Sequence, residues 1–336
     1  MIISRTPFRI SLFGGGSDYP TWYNQHGGAV LGFAIRKYCY VSVRYLPPFF
    51  AHKHRIIYSK VENVIDIAEI QHPAVRAILG QAGIDKGLEI HHDADLPARS
   101  GMGSSSSFVV GLLNALHALR GRMMDKRSLA AEALHMEQTV MAENVGTQDQ
   151  LWATYGGLNR MIFRTDGSYD VSPLIIPRER REELLSHCML FFTGLQRYAT
   201  TVAEKKIANL DQRQSQIMTM MQMVDQGADI LCAPSRDIRE IGTLLHDAWR
   251  LKKELSDAVS TQLVDEIHQA AMDAGAIGGK LLGAGGGGFM LLFAPPERQP
   301  AIREALRHLV EVTIDVDYDG SRIVVYEPDG LSNTGR

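Results

Sequence analysis

The residues best equipped for chemistry stand together in Pro97-Ala98-Arg99-Ser100-Gly101-Met102-Gly103-Ser104-Ser105-Ser106-Ser107. Two glycines let the backbone curl closely around a ligand, and the apolar spacing of the following FVVGLLNALHAL predicts a helix. The first N–H groups of such a helix, together with its macrodipole, favour an anion. The segment is therefore expected to cradle phosphates, with its serines as further donors and one hydroxyl available to a magnesium ion. The plainer alternative is a helix cap with surplus serines. A Walker-type loop is excluded, because no Gly-Lys-Ser/Thr closes the turn.

Other candidates fare worse. Gly283 to Gly288 formally contains G-x-G-x-x-G, but the strand-like FMLLFA follows it where a dinucleotide fold needs a helix. His135-Met136-Glu137 imitates the HxE of zinc deaminases without their PCxxC. His91-His92-Asp93-Ala94-Asp95 has metal-ligating types but no partner cluster, and reads as a solvated strand end. Arg178 to Glu183 alternates in charge sign and reads as a solvated helix face. Met218, Met220, Met221 and Met223 read as helix packing.

These residues need a scaffold. The chain has 336 residues, about twice a typical domain of ~150, and its character changes near residue 185. Two domains are expected, 1–185 and 186–336. Strands are expected at 2–13, 29–36, 38–46, 55–59 and 88–92, with a hairpin of the second and third ended by Pro47-Pro48. Helices are expected at 73–83, after the serine run and at about 128–143, with a hairpin around Asp166-Gly167. The second part begins with a buried strand, CMLFFTG, then turns helical. Strands and helices mix without strict alternation, so the fold class is α+β. Charge is nearly balanced, 35 Lys+Arg against 38 Asp+Glu, which argues against a nucleic-acid binder. Cys39, Cys188 and Cys232 are scattered singly, as suits a reducing cytoplasm. No signal peptide and no membrane span are expected.

Three segments, PFRISLFGGGSDY (7–19), LPARSGMGSSSSF (96–108) and KLLGAGGGGF (280–289), resemble in order and spacing the three motifs of the GHMP kinases. With GGGSDYPTWYNQHGG, EQTVMAENVGTQDQ and FFTGLQRYA, the likeness is to the D-glycero-D-manno-heptose 7-phosphate kinases of that superfamily. The resemblance implies an N-terminal domain like ribosomal protein S5 domain 2, a ferredoxin-like C-terminal domain and a site between them. It implies ATP and Mg²⁺ as cofactors and a small sugar phosphate as partner. A homodimer is left open.

The resemblance also implies roles. Asp149 matches the catalytic base of galactokinase-like members, and Arg9 the arginine beside it. Pro97, Arg99, Gly101, Met102, Gly103 and Ser104 to Ser107 match the ATP-phosphate loop. Glu137, twelve residues before Asp149, and Ser105 match the magnesium ligands. Asp18 matches a sugar-binding aspartate, with Gly15, Gly16 and Ser17 beside it. Galactokinases carry a Glu-His pair at Gly15-Gly16, so this chain is expected to leave room for a sugar other than galactose. Arg197 is the expected anchor for the substrate's own phosphate, with Arg36 and Lys37 as alternatives. Backbone N–H groups at Gly285 and Gly286 are a further option. Two other readings stay open: another sugar 1-kinase of the superfamily such as a fucokinase, and a catalytically inactive sugar sensor.

Overall fold

The computed structural model describes residues 1–195 and 211–328. Arg197 lies outside the described residues. Strand β1 (Ile2–Phe13) and helix α1 (Pro20–His26) lead into β2 (Gly28–Tyr45). Then come β3 (His54–Ile57), β4 (Val61–Val64), α2 (Pro73–Ala82) and β5 (Leu88–Ala94). Helices α3 (Ser104–Leu119), α4 (Lys126–His135) and α5 (Gln148–Tyr155) precede the hairpin of β6 (Leu158–Phe163) and β7 (Tyr169–Pro173). Helix α6 (Arg178–His187) delivers the chain to β8 (Cys188–Phe192). Beyond it lie β9 (Gly278–Leu281), β10 (Phe289–Phe293), β11 (Val310–Val312) and β12 (Arg322–Tyr326), with helices at Gln214–Cys232, Arg239–Glu254 and Gln262–Asp273.

Among the described residues the strands form two sheets. The eight-stranded sheet runs β12-β1-β2-β5-β3-β4, and β6 and β7 extend from β2. The four-stranded sheet runs β11-β8-β10-β9. This is the expected α+β class. One expectation is corrected. Residues 29–46 are not a hairpin but one strand: its first half pairs with β6 and its second with β5, while β1 accompanies both. The register shifts where Pro7, which has no N–H to donate, meets the β2 segment around Arg36 and Lys37. From the stretch 186–336, β12 crosses back to pair with β1.

Helix α3 is buried on almost every side, as a helix apolar all round must be. It lies against β1 and β2, and one apolar cluster runs from Phe8 and Phe13 through α3 to Val224, Leu245 and Leu291. That continuity locks the two sheets together around the loops that follow β1 and precede α3. Arg180 departs from the solvated face expected of α6. It is buried, and Nη2 donates to the carbonyls of Ile230 (2.7 Å) and Arg236 (3.0 Å).

Candidate active site

Strand β1 supplies Arg9 and the start of α5 supplies Asp149. The Arg9 guanidinium donates through Nε to Asp149 Oδ1 at 2.8 Å and through Nη2 to Oδ2 at 2.9 Å. Its Nη1 reaches the Gly101 carbonyl at 2.6 Å, and its backbone N–H reaches that of Met102 at 3.2 Å. The arginine side chain is 5% exposed and the aspartate 26%, so the fork is shielded while a carboxylate face stays open to a reactant. A planar guanidinium suits this two-point grip, which a lysine could not reproduce. The fold thus brings Arg9 and Asp149, 140 positions apart in the chain, into direct contact.

The phosphate loop sits directly over the pair. Gly101 and Gly103 have φ of 78° and 77°, and Gly103 forms the N-cap of α3. No side chain caps that helix, so its first N–H groups remain for an anion. A Cβ on Gly103 would stand 3.4 Å from Asp149 Oδ2 and from Arg9 Cγ. Ser104 accepts a 3.3 Å bond from the Arg99 N–H, whereas Ser107 is buried and donates to the Pro7 carbonyl at 2.8 Å, tying α3 to β1. Met102 is fully buried and Pro97 half-buried, so they anchor the loop from below. The geometry fits the phosphates of ATP.

The third glycine run supports this loop. A Cβ on Gly283 would lie 2.4 Å from Gly101 Cα, and the Phe289 N–H donates to the Ser100 carbonyl at 3.1 Å. Buried Lys252 donates to the carbonyls of Leu281 (2.7 Å) and Gly283 (2.6 Å), stitching the run to the helix Arg239–Glu254. The option that Gly285 and Gly286 bind a phosphate is corrected. Both are buried, Gly285 is pressed against Val259, and the Gly286 N–H already donates to the Val259 carbonyl at 2.9 Å. Arg36, an alternative phosphate anchor, pairs with Asp315 at 3.1 Å on the surface.

Glu137 lies in a π-helical turn, Met136–Val140, that continues α4. Such wide turns often mark functional positions. The carboxyl is fully buried, and burial pushes it up to about 8 against the opposing hydrogen bonds of Ser106 and Gln150. Ser106 Oγ donates to it at 2.8 Å, and Gln150 Nε2 donates as well. Of the serines next to the expected magnesium ligands Glu137 and Ser105, it is Ser106 that faces the glutamate: successive helical residues point about 100° apart, and Ser105 turns outward to the loop surface. A buried acid next to hydroxyls, at the edge of a phosphate loop, is a donor set that fits Mg²⁺. Among the described residues no group of three or more His, Cys, Asp or Glu stands close enough together to hold a metal ion, so phosphate oxygens and water would have to complete any magnesium shell at Glu137.

The first-motif loop borders Asp149 from the other side. Ser17 is fully buried and donates to the carbonyls of Gly14 and Ala29 at 2.8 and 2.9 Å, so it shapes the loop and is not open to a sugar. Gly15 is the half-exposed point of the loop, and a Cβ there would meet only Ser11 Oγ (3.6 Å) and Gln148 Nε2 (3.7 Å). Asp18 is buried, with Gly16 N–H and Gln148 Nε2 both donating to it. Tyr19, to which the sequence alone assigns no role, is a buried phenol raised well above its ordinary range by burial and by Asp18 and Asp149. Its place one residue after Asp18 was the available signal.

Residues 68–157 match the profile of the GHMP kinases N terminal domain, and residues 230–311 that of the GHMP kinases C terminal. The chain belongs to the GHMP kinases, and is a phosphotransferase of the sugar-kinase class. It is 29% identical to the D-glycero-alpha-D-manno-heptose 7-phosphate kinase of Campylobacter jejuni, over 91% of this chain and 93% of that protein. It is 27% identical to the bifunctional fucokinase/GDP-fucose pyrophosphorylase of Arabidopsis thaliana, covering 92% of this chain but 31% of that protein. Among solved structures, a D-glycero-D-manno-heptose 1-phosphate kinase from Bacteriodes thetaiotaomicron superposes with a TM-score of 0.78 at 23% identity, over 97% of this chain and all of that one. Among the described residues no helix is long and apolar enough to cross a membrane.

Proposed function

We propose that this chain transfers the γ-phosphoryl group of ATP to the anomeric hydroxyl of D-glycero-D-manno-heptose 7-phosphate, giving the 1,7-bisphosphate for GDP-heptose synthesis. The observation that carries this reading is the Asp149 carboxylate, gripped by Arg9 and lying directly beneath the phosphate loop. Asp149 accepts the proton of the sugar hydroxyl as the phosphoryl group arrives. Arg9 fixes both carboxylate oxygens and holds positive charge where negative charge develops. Gly101, Gly103 and the first turn of α3 orient the transferring group. Glu137 and Ser106, with Ser105 at the loop surface, are the residues to hold Mg²⁺, which when bound neutralises phosphate charge. Arg197 is the proposed partner of the 7-phosphate.

The heptose substrate rests on the relative from C. jejuni and on the small residues at Gly15-Gly16. A panel of labelled-ATP assays tests it, with heptose 7-phosphate, the unphosphorylated heptose, fucose and galactose as acceptors. Preference for the phosphorylated heptose is expected. A specificity constant higher for fucose would assign the chain to the fucokinase reading, and sugar binding without turnover would make it a sensor.

A further inference from the structure

The first-motif aspartate is expected from the family likeness to touch the sugar, yet its surroundings describe another task. Asp18 is 2% exposed. Oδ1 accepts the Gly16 N–H at 2.8 Å, Oδ2 accepts Gln148 Nε2 at 2.8 Å, and its backbone carbonyl accepts the Thr147 N–H at 2.9 Å. The turn before α5 is pressed onto the same carboxylate: a Cβ on Gly146 would stand 1.9 Å from Oδ2. Gly146 is absent from the positive-φ residues, so backbone conformation does not demand glycine there. Only contact with Asp18 does. Thr147 is fixed further by Tyr23 (3.2 Å) and Gln138 (3.1 Å) through its hydroxyl. The next residues are Gln148 and then Asp149.

We infer that Asp18 is a positioning residue: it clamps the 146–148 turn so that Asp149 enters the Arg9 fork in register beneath the phosphate loop. The inference rests on the proposed role of Asp149 as base. The clamp joins the first-motif loop to the start of α5, so the position of one fixes the position of the other. Gln148 supplies an internal check. Its Oε1 is buried without a hydrogen-bond partner, so turning the amide over offers an acceptor to an asparagine N–H at position 18.

Steady-state kinetics of Asp18→Ala, Asp18→Asn and Gly146→Ala test the clamp, on whichever sugar wild type phosphorylates fastest. Asp18→Ala is expected to lower kcat about 10- to 100-fold, the scale of a base displaced by about an ångström, with the sugar KM within about threefold. Asp18→Asn should recover most of that loss through the turned Gln148 amide. Gly146→Ala should lower kcat without raising the sugar KM, and should remain informative if Asp18→Ala does not fold. In the double variant the two losses should fail to add, since removing the carboxylate makes room for the methyl. A tenfold rise in sugar KM with kcat intact in Asp18→Asn would place the carboxylate on the sugar and overturn the inference. Crystal structures of Asp18→Asn and Gly146→Ala give a readout that needs no turnover: a displaced Arg9–Asp149 fork is expected in Gly146→Ala and an intact one in Asp18→Asn. An undisturbed fork in Gly146→Ala would overturn the clamp even if no sugar were phosphorylated, an outcome that by itself would count only against the sugar-kinase reading.

Discussion

Replacing Asp149 by asparagine separates catalysis from stability. The substitution keeps the shape of the side chain, but one of its two acceptors becomes a donor facing Arg9. Of the two fork bonds, at 2.8 and 2.9 Å, one survives. The arginine side chain is 5% exposed and loses its counter-charge. A hydrogen bond to a charged group contributes about 1.5–3 kcal/mol. Asp149 is 26% open to solvent and the Gly101 carbonyl still holds Nη1, which puts the expected loss near the lower end, about 2 kcal/mol. Against a typical folding stability of about 5 kcal/mol or more, over 98% of the protein stays folded. Unfolding therefore cannot mimic the catalytic effect. Loss of the base should lower kcat by about two to four orders of magnitude, or on the order of 3–5 kcal/mol in the barrier, with ATP affinity retained. Coupled ADP-release kinetics, calorimetric ATP titration and urea unfolding measure the three quantities separately. A variant keeping more than about a third of wild-type kcat would refute the assignment of the base.

Glu137→Gln mimics the protonated carboxyl that burial favours up to about pH 8, so the melting temperature should stay close to wild type at pH 7. The Mg²⁺ concentration for half-maximal rate should rise about tenfold or more, and unchanged magnesium dependence would remove Glu137 from the metal site. Gly283→Ala forces a side chain into a residue with φ of 71° and against Gly101, so a loss of about 1–3 kcal/mol is expected. Calorimetry should show weakened ATP binding, and unaltered affinity would mean that the third motif does not support the phosphate loop. Burial pushes His92 and His268 down to about 4, whereas an unfolded histidine titrates near 6.5. Protons thus favour the unfolded chain, and stability should fall as pH drops from about 6.5 to about 4. A double His92→Gln/His268→Gln variant should flatten urea-unfolding midpoints across that window, and parallel profiles would exclude these rings as the cause.

The local chemistry of the phosphate loop was legible in the chain itself. Glycines followed by serines and an unbroken apolar helix have few ways to fold other than a backbone cradle, because the constraint acts within a dozen residues. The positions of Asp149 and Arg9 were legible only through likeness to other chains, since nothing local joins residues 140 positions apart. Tertiary structure decided the rest. Whether Ser105 or Ser106 meets Glu137 depends on the rotation of α3 against α4, which its near-uniform apolar surface leaves unmarked in sequence. The β2 run looked like a hairpin because alternation lapses at Arg36-Lys37, yet partners on both sides carry the strand through that irregularity. The return of β12 to β1 is a pairing across the whole chain, invisible to any local pattern. The third glycine run reads alone as a ligand loop. Only its packing shows that those glycines let one backbone lie against another, so that the loop above Asp149 keeps its shape.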